Sequence, residues 1–109
     1  MVANRRRGEI AAIIDGREQI LCLTLGALAE LEAAFAVDDL AALAERFASG
    51  RLRARDLIRV VGAGLRGGGA SVSDDEVALM RFDGGMAGCA KAVGDLLAIT
   101  FGAEPQDRP

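Results

Sequence analysis

The sequence predicts an α+β fold: a short N-terminal antiparallel β-hairpin packed against a bundle of about four to five helices. Three observations lead there. Apolar residues alternate on either side of Asp15-Gly16 within "GEIAAIIDGREQILCLT". From Thr24 onward they recur at helical spacing instead. Thr24, Asp38-Asp39 and Ser73 precede three of the helical stretches, and Gly-containing segments follow the second, third and fourth. A chain of 109 residues suits one small domain, expected over residues 1–103, with residues 104–109 as a flexible tail.

The elements follow in order. In the hairpin, Ile10, Ala12 and Ile14 alternate on one arm, Ile20 and Cys22 on the other, and Asp15-Gly16 is a strong two-residue turn signal. Such short arms need helices to cover their apolar face. "TLGALAELEAAF" reads as a first helix capped by Thr24, with Leu25, Leu28, Leu31 and Phe35 as its stripe. "VDDLAALAERFASG" is a second, capped by Asp38 or Asp39, burying Leu40, Leu43, Ala44 and Phe47 and ending at Ser49-Gly50. The short link between them makes these helices neighbours. The third lies in "RLRARDLIRVVGAGLRGGG", with Leu57, Ile58, Val61 and Leu65 inward. Ser73 and Glu76 have capping-box spacing for a short fourth helix that turns Val77, Met80 and Phe82 inward, with Val72 stapling to Val77. After Asp83-Gly84-Gly85, a fifth helix presents Met86, Cys89, Val93, Leu96, Leu97 and Phe101, and Gly88 and Gly94 allow close backbone approach.

Composition removes several function classes. Thirteen basic residues against 16 acidic ones leave a mild negative balance, so overall charge argues against direct nucleic-acid binding. Four Phe and no Trp or Tyr make a poor base-stacking surface. There is no His, hence no ordinary general base near neutral pH and none of the commonest metal ligand. Cys22 and Cys89 cannot complete a four-thiolate site and are expected to be reduced and buried. The apolar runs are too short or too interrupted to span a bilayer, so a cytoplasmic location is expected.

Two motifs invite chemistry and lose it on inspection. "GAGLRG" matches G-x-G-x-x-G at Gly62, Gly64 and Gly67. A dinucleotide turn needs a strand before it and a helix opening at its end. Here Gly67-Gly68-Gly69-Ala70-Ser71 opens no helix, so the run is read as a helix ending in a sharp or mobile turn. Asp74, Asp75 and Glu76 occupy a first helical turn, which explains them without a metal. Lys91 and Cys89 point apart on a helix, and no serine has a histidine to activate it. No catalytic, cofactor or metal residue is assigned, and none of these roles is expected.

Binding is the remaining class. The hairpin edge could accept another strand. The third helix is ringed by Arg51, Arg53, Arg55, Arg59 and Arg66, with Asp56 the only acid, either a partner-binding face or a solvated one whose stems cover the core edge.

The stretch "NRRRGEIAAIIDGREQILCLTLGALAELEAAF" resembles the small tail assembly proteins of bacterial gene transfer agents, a family related to phage tail assembly chaperones. The likeness continues through "DLAALAERFASGRLRARDLIRVVGAGLRGGG" and "VSDDEVALM", to about Gly102. Its family-like positions are Arg6, Gly8 and Glu9, then Leu23 to Gly26, Leu28, Leu31 and Glu32, then Gly62, Leu65 and Arg66. The resemblance implies a non-enzymatic chaperone that binds the tape measure protein while tube subunits polymerise, with contacts to other tail proteins and self-association left open. Arg6, Arg51, Arg53, Arg55, Arg59 and Arg66 are its candidate partner-binding residues. Some family names say tail tube protein instead, which implies a permanent tail component, tube or terminator-like. A small DNA-binding regulator using the basic third helix is a further alternative.

Overall fold

The computed structural model describes residues 2–49 and 52–102. The expected architecture is present: an N-terminal antiparallel hairpin packed against five helices. A 3-10 turn, Arg5–Arg7, leads into β1 (Glu9–Ile14) and β2 (Arg17–Cys22). Asp15 and Gly16 both have positive φ, 53° and 78°, the backbone twist that a two-residue hairpin turn requires. That turn sets Ile14 opposite Arg17 and Ile10 opposite Leu21. Even positions of β1 therefore share a face with odd positions of β2. Ile10, Ile14 and Leu21 are buried on it, joined by Leu23 beyond the strand. The expectation for the second arm is corrected: Ile20 and Cys22 lie on the opposite face and are half-buried.

Neither edge of the hairpin stands open along its length. On the β1 side, Asp15 N–H donates to the Arg81 carbonyl at 2.8 Å and Asp83 N–H to the Ile13 carbonyl at 3.0 Å. Ile14 and Phe82 form an antiparallel bridge between them. On the β2 side, the outward carbonyls of Ile20 and Cys22 lie against Gly68 and Gly67, where a Cβ would overlap each oxygen. Gly67 and Gly68 are thus packed contacts, and the hairpin edge expected to accept a strand is covered in part by the chain's own backbone.

α1 (Leu25–Phe35) starts where Thr24 Oγ1 accepts from the Ala27 N–H at 3.1 Å. Ala27, Leu28 and Leu31 are buried. Leu25, expected inside, is 82% exposed, because the face set by Ala27 and Leu31 turns it outward. Left-handed Ala36 closes the helix, and the Val37 N–H returns to the Glu32 carbonyl at 3.0 Å. α2 (Leu40–Ala48) is capped by Asp39, whose Oδ1 accepts from the Ala42 N–H at 2.9 Å. Leu43 and Phe47 are buried and Ala44 half-buried, whereas Leu40, at the first helical position, is 43% exposed. The two helices are neighbours as expected, with the Phe35 and Phe47 rings edge to face at 5.3 Å. Gly50 lies outside the described residues.

α3 (Ala54–Gly67) is the centre of the molecule, touching β2, α1, α4 (Asp74–Val77) and α5 (Gly85–Phe101). Its N-terminal half is amphipathic. Six consecutive residues of its C-terminal half, Val60 to Leu65, are buried. Ile58, expected in the core, is half-buried. A Cβ at Gly64 would press on Leu21 and Leu96, so this glycine of the G-x-G-x-x-G match serves helix–strand packing. α4 carries the predicted capping box: Ser73 Oγ accepts from the Glu76 N–H at 3.1 Å, and Glu76 Oε1 from the Ser73 N–H at 2.8 Å. On α5, Ala92, Val93, Leu96 and Leu97 are buried. Met86 is 62% exposed rather than core, because it lies in the first turn after Gly84-Gly85, ahead of that buried stretch. Gly94 faces open space, so the close approach expected there is absent, whereas Gly88 does abut the Asp83 carbonyl.

Candidate protein-docking surface

The N-terminus of α3 is built around one buried carboxylate. Asp56 is 5% exposed. Its Oδ2 accepts from the Arg53 N–H at 3.0 Å and from Arg46 Nη2 at 3.5 Å. Arg46 in turn lies over the Phe35 ring, 5.2 Å from its centre. One charge thereby satisfies a free helical N–H and ties α2 to α3.

The predicted arginines divide by environment. Arg53 and Arg55 are exposed and Arg59 is half-buried on α3. None of the three forms an ion pair among the described residues. Arg6 is exposed on the separate turn before β1. Arg51 lies outside the described residues. Arg66 is engaged within the fold: its guanidinium donates to Glu30 at 2.7 Å, to the Val72 carbonyl at 2.9 Å and to Asp74 at 3.1 Å. The hydrogen bond it donates to Glu30 is the largest cause holding its charge more firmly than usual. Arg66 thus joins α1, α3 and the start of α4.

An apolar groove of about 500 Å³ opens between α3, residues 77–82 and the start of α5. Leu57, Ile58 and Val61 form its α3 wall, and Met80, Phe82 and Met86 face them. The opposite wall is anchored to the hairpin through the Phe82 bridge and through Asp15 Oδ1, which accepts from the Arg81 N–H at 3.0 Å. Arg81 also lines the groove. Leu79, beside it in the chain, is 83% exposed. Sequence reasoning missed this site, because two stretches distant in the chain form it, Ala54 to Val61 and Val77 to Cys89. The sequence reading carries Met80 and Phe82 on the fourth helix, whereas that helix is Asp74–Val77 and both residues lie beyond its end.

No group of three or more Cys, Asp or Glu is placed to hold a metal ion among the described residues. Both cysteines are free and half-buried. Burial is the largest cause raising the Cys22 and Cys89 thiols above their usual range, which keeps them protonated rather than nucleophilic near neutral pH. No described helix is long and apolar enough to cross a membrane.

Residues 7–103 match a family described as phage tail tube protein, GTA-gp10. The match takes in the hairpin and all five helices, and the chain belongs to this family. No curated protein and no solved structure matches it.

Proposed function

We propose that this member of the GTA-gp10 family serves in a phage-like tail through protein–protein contacts, without catalysis, and stays in the finished tail as a structural part. The family's description as a tail tube protein carries this reading, ahead of the transient chaperone role that the sequence resemblance places first. The open apolar groove supplies a surface for such contacts.

A second reading, a chaperone that binds the tape measure protein and then leaves, is favoured by one specific observation. The sheet has two strands, and both edges are partly covered by the chain's own backbone. A tube subunit ordinarily extends a sheet from copy to copy, which needs free edges. The DNA-binding regulator draws less support: Arg66 is held by Glu30 and Asp74, and the chain carries a net charge of −3.

Co-expression with the tape measure protein and other tail proteins, followed by affinity capture and mass measurement of complexes and particles, separates the readings. Retention in particles at fixed stoichiometry supports the structural part. A tape measure complex that is absent from finished particles supports the chaperone.

A further inference from the structure

We infer that residues 71–80 form a flap over α3 that opens as a unit to widen the apolar groove, and that Arg66 is the clamp holding it closed. The inference concerns regulation of the surface named in the proposed function, and it rests on that reading only for the use of the groove.

Hydrogen bonding sets the flap apart. The residues on either side of it are moored to the fold through their backbone. Before it, the Gly69 and Ala70 N–H groups donate to the Arg66 and Leu65 carbonyls at 3.1 and 2.9 Å. After it, residues 81–83 are joined to the hairpin by the Phe82 bridge and the bonds around it. Between these moorings the backbone bonds stay inside the flap: Val77 N–H donates to the Ser73 carbonyl, Ala78 to Asp74, Leu79 to Glu76 and Met80 to Val77. The Ser73–Glu76 capping box is internal as well. Among the described residues, the flap's polar links to the rest of the molecule all run to one guanidinium, which donates to the Val72 carbonyl and to Asp74. Val77 is its one buried side chain. The groove beside Val77, Ala78 and Met80 leaves α3 partly uncovered. A segment with internal hydrogen bonds and little buried apolar surface opens locally, ahead of the core.

The clamp is fitted into α3. Gly62 lies one turn before Arg66, and a Cβ there would overlap Asp74 Oδ1 and crowd Arg66 Nη1. This glycine of the G-x-G-x-x-G match therefore makes room for an ion pair. Glu30 of α1 holds the same guanidinium at 2.7 Å, so Arg66 keeps its place when the flap leaves. The three side chains are partly exposed, and salt weakens their attraction. Gly69, with φ of 106° and open space where a Cβ would stand, supplies a hinge at the near end.

Native-state hydrogen exchange of the full chain tests the flap, with thiol labelling of Cys89, a groove-lining residue, in a Cys22→Ser background. The amides of Val77, Ala78, Leu79 and Met80 are expected to exchange through one common opening. Its denaturant dependence should be weaker than that of Val61 to Leu65 on α3. Phe47→Leu, a lesion in α2, should lower the protection of α3 and leave the four flap amides unchanged. Arg66→Ala should lower flap protection and speed Cys89 labelling together, by about two- to fivefold, the range for exposed ion pairs. Salt should speed both in the native chain and lose that effect in the Arg66 variant. Gly62→Ala, which displaces the Asp74 carboxylate, should act like Arg66→Ala. Flap amides that exchange only with α3, a Phe47→Leu effect shared equally by flap and α3, or clamp variants that leave exchange and labelling unchanged would each overturn the inference. These measurements use the free chain and judge the flap alone. Particle composition judges the role in tails separately.

Discussion

Gly67 packs its backbone against the carbonyl of Cys22 so closely that a Cβ at this position would overlap the oxygen. The partner atom is backbone in a paired strand, so it cannot swing aside as a side chain would. Gly67→Ala should therefore destabilise the fold by about 1–3 kcal/mol, the range for overpacking a tight contact. Gly94, in the interior of α5, faces open space. Gly94→Ala should stabilise by about 0.5–1 kcal/mol through helix propensity. Denaturant unfolding of both variants checks the pair; loss of stability at both positions would show that α5 is covered where the structure leaves it open.

Two leucines of one helix should differ just as clearly. Leu31 is 1% exposed, whereas Leu25, six positions earlier, faces solvent. Leu31→Ala should cost about 2–5 kcal/mol through lost transfer energy and the cavity left behind. Leu25→Ala should stay within about 0.5 kcal/mol, as surface substitutions usually do. Equal losses in chemical denaturation would contradict the assigned face of α1.

The arginines divide in the same way. Arg66→Ala removes hydrogen bonds to Glu30, Asp74 and the Val72 carbonyl. Because its carboxylate partners are substantially exposed, solvent screening limits the expected loss to about 1 kcal/mol, with salt reducing it. Arg55→Ala should leave stability within about 0.5 kcal/mol while weakening a complex with an acidic partner. Unfolding curves at low and high salt, with binding measured alongside, decide the matter; an Arg55 variant that melts early and binds normally would reverse the assignment.

Local chemistry was the legible part of this fold. The Asp15-Gly16 turn, the Thr24 and Asp39 caps and the Ser73–Glu76 box each depend on a few adjacent residues, and each lies where sequence reasoning expects it. What depends on neighbouring elements was not legible. A helical stripe defines an apolar side without saying how much of it a neighbour covers, so Leu25, Leu40 and Met86 read as core and are exposed. Val60 to Leu65 are buried together because α3 is surrounded, which its own periodicity does not encode. Arg66 meets Glu30 across 36 positions, so its grouping with the other arginines was a sequence neighbourhood and not a spatial one. The groove brings together residues from Ala54 to Cys89 and exists only after folding.

The central claim is that this chain stays in the tail as a structural part. Quantitative mass spectrometry of purified particles, with the tail proteins counted against one another, tests it most directly. The account predicts the chain in finished particles at a fixed ratio to the other tail proteins. Finished tails that lack it, beside unfinished material in which it accompanies the tape measure protein, would contradict the claim and establish the chaperone in its place.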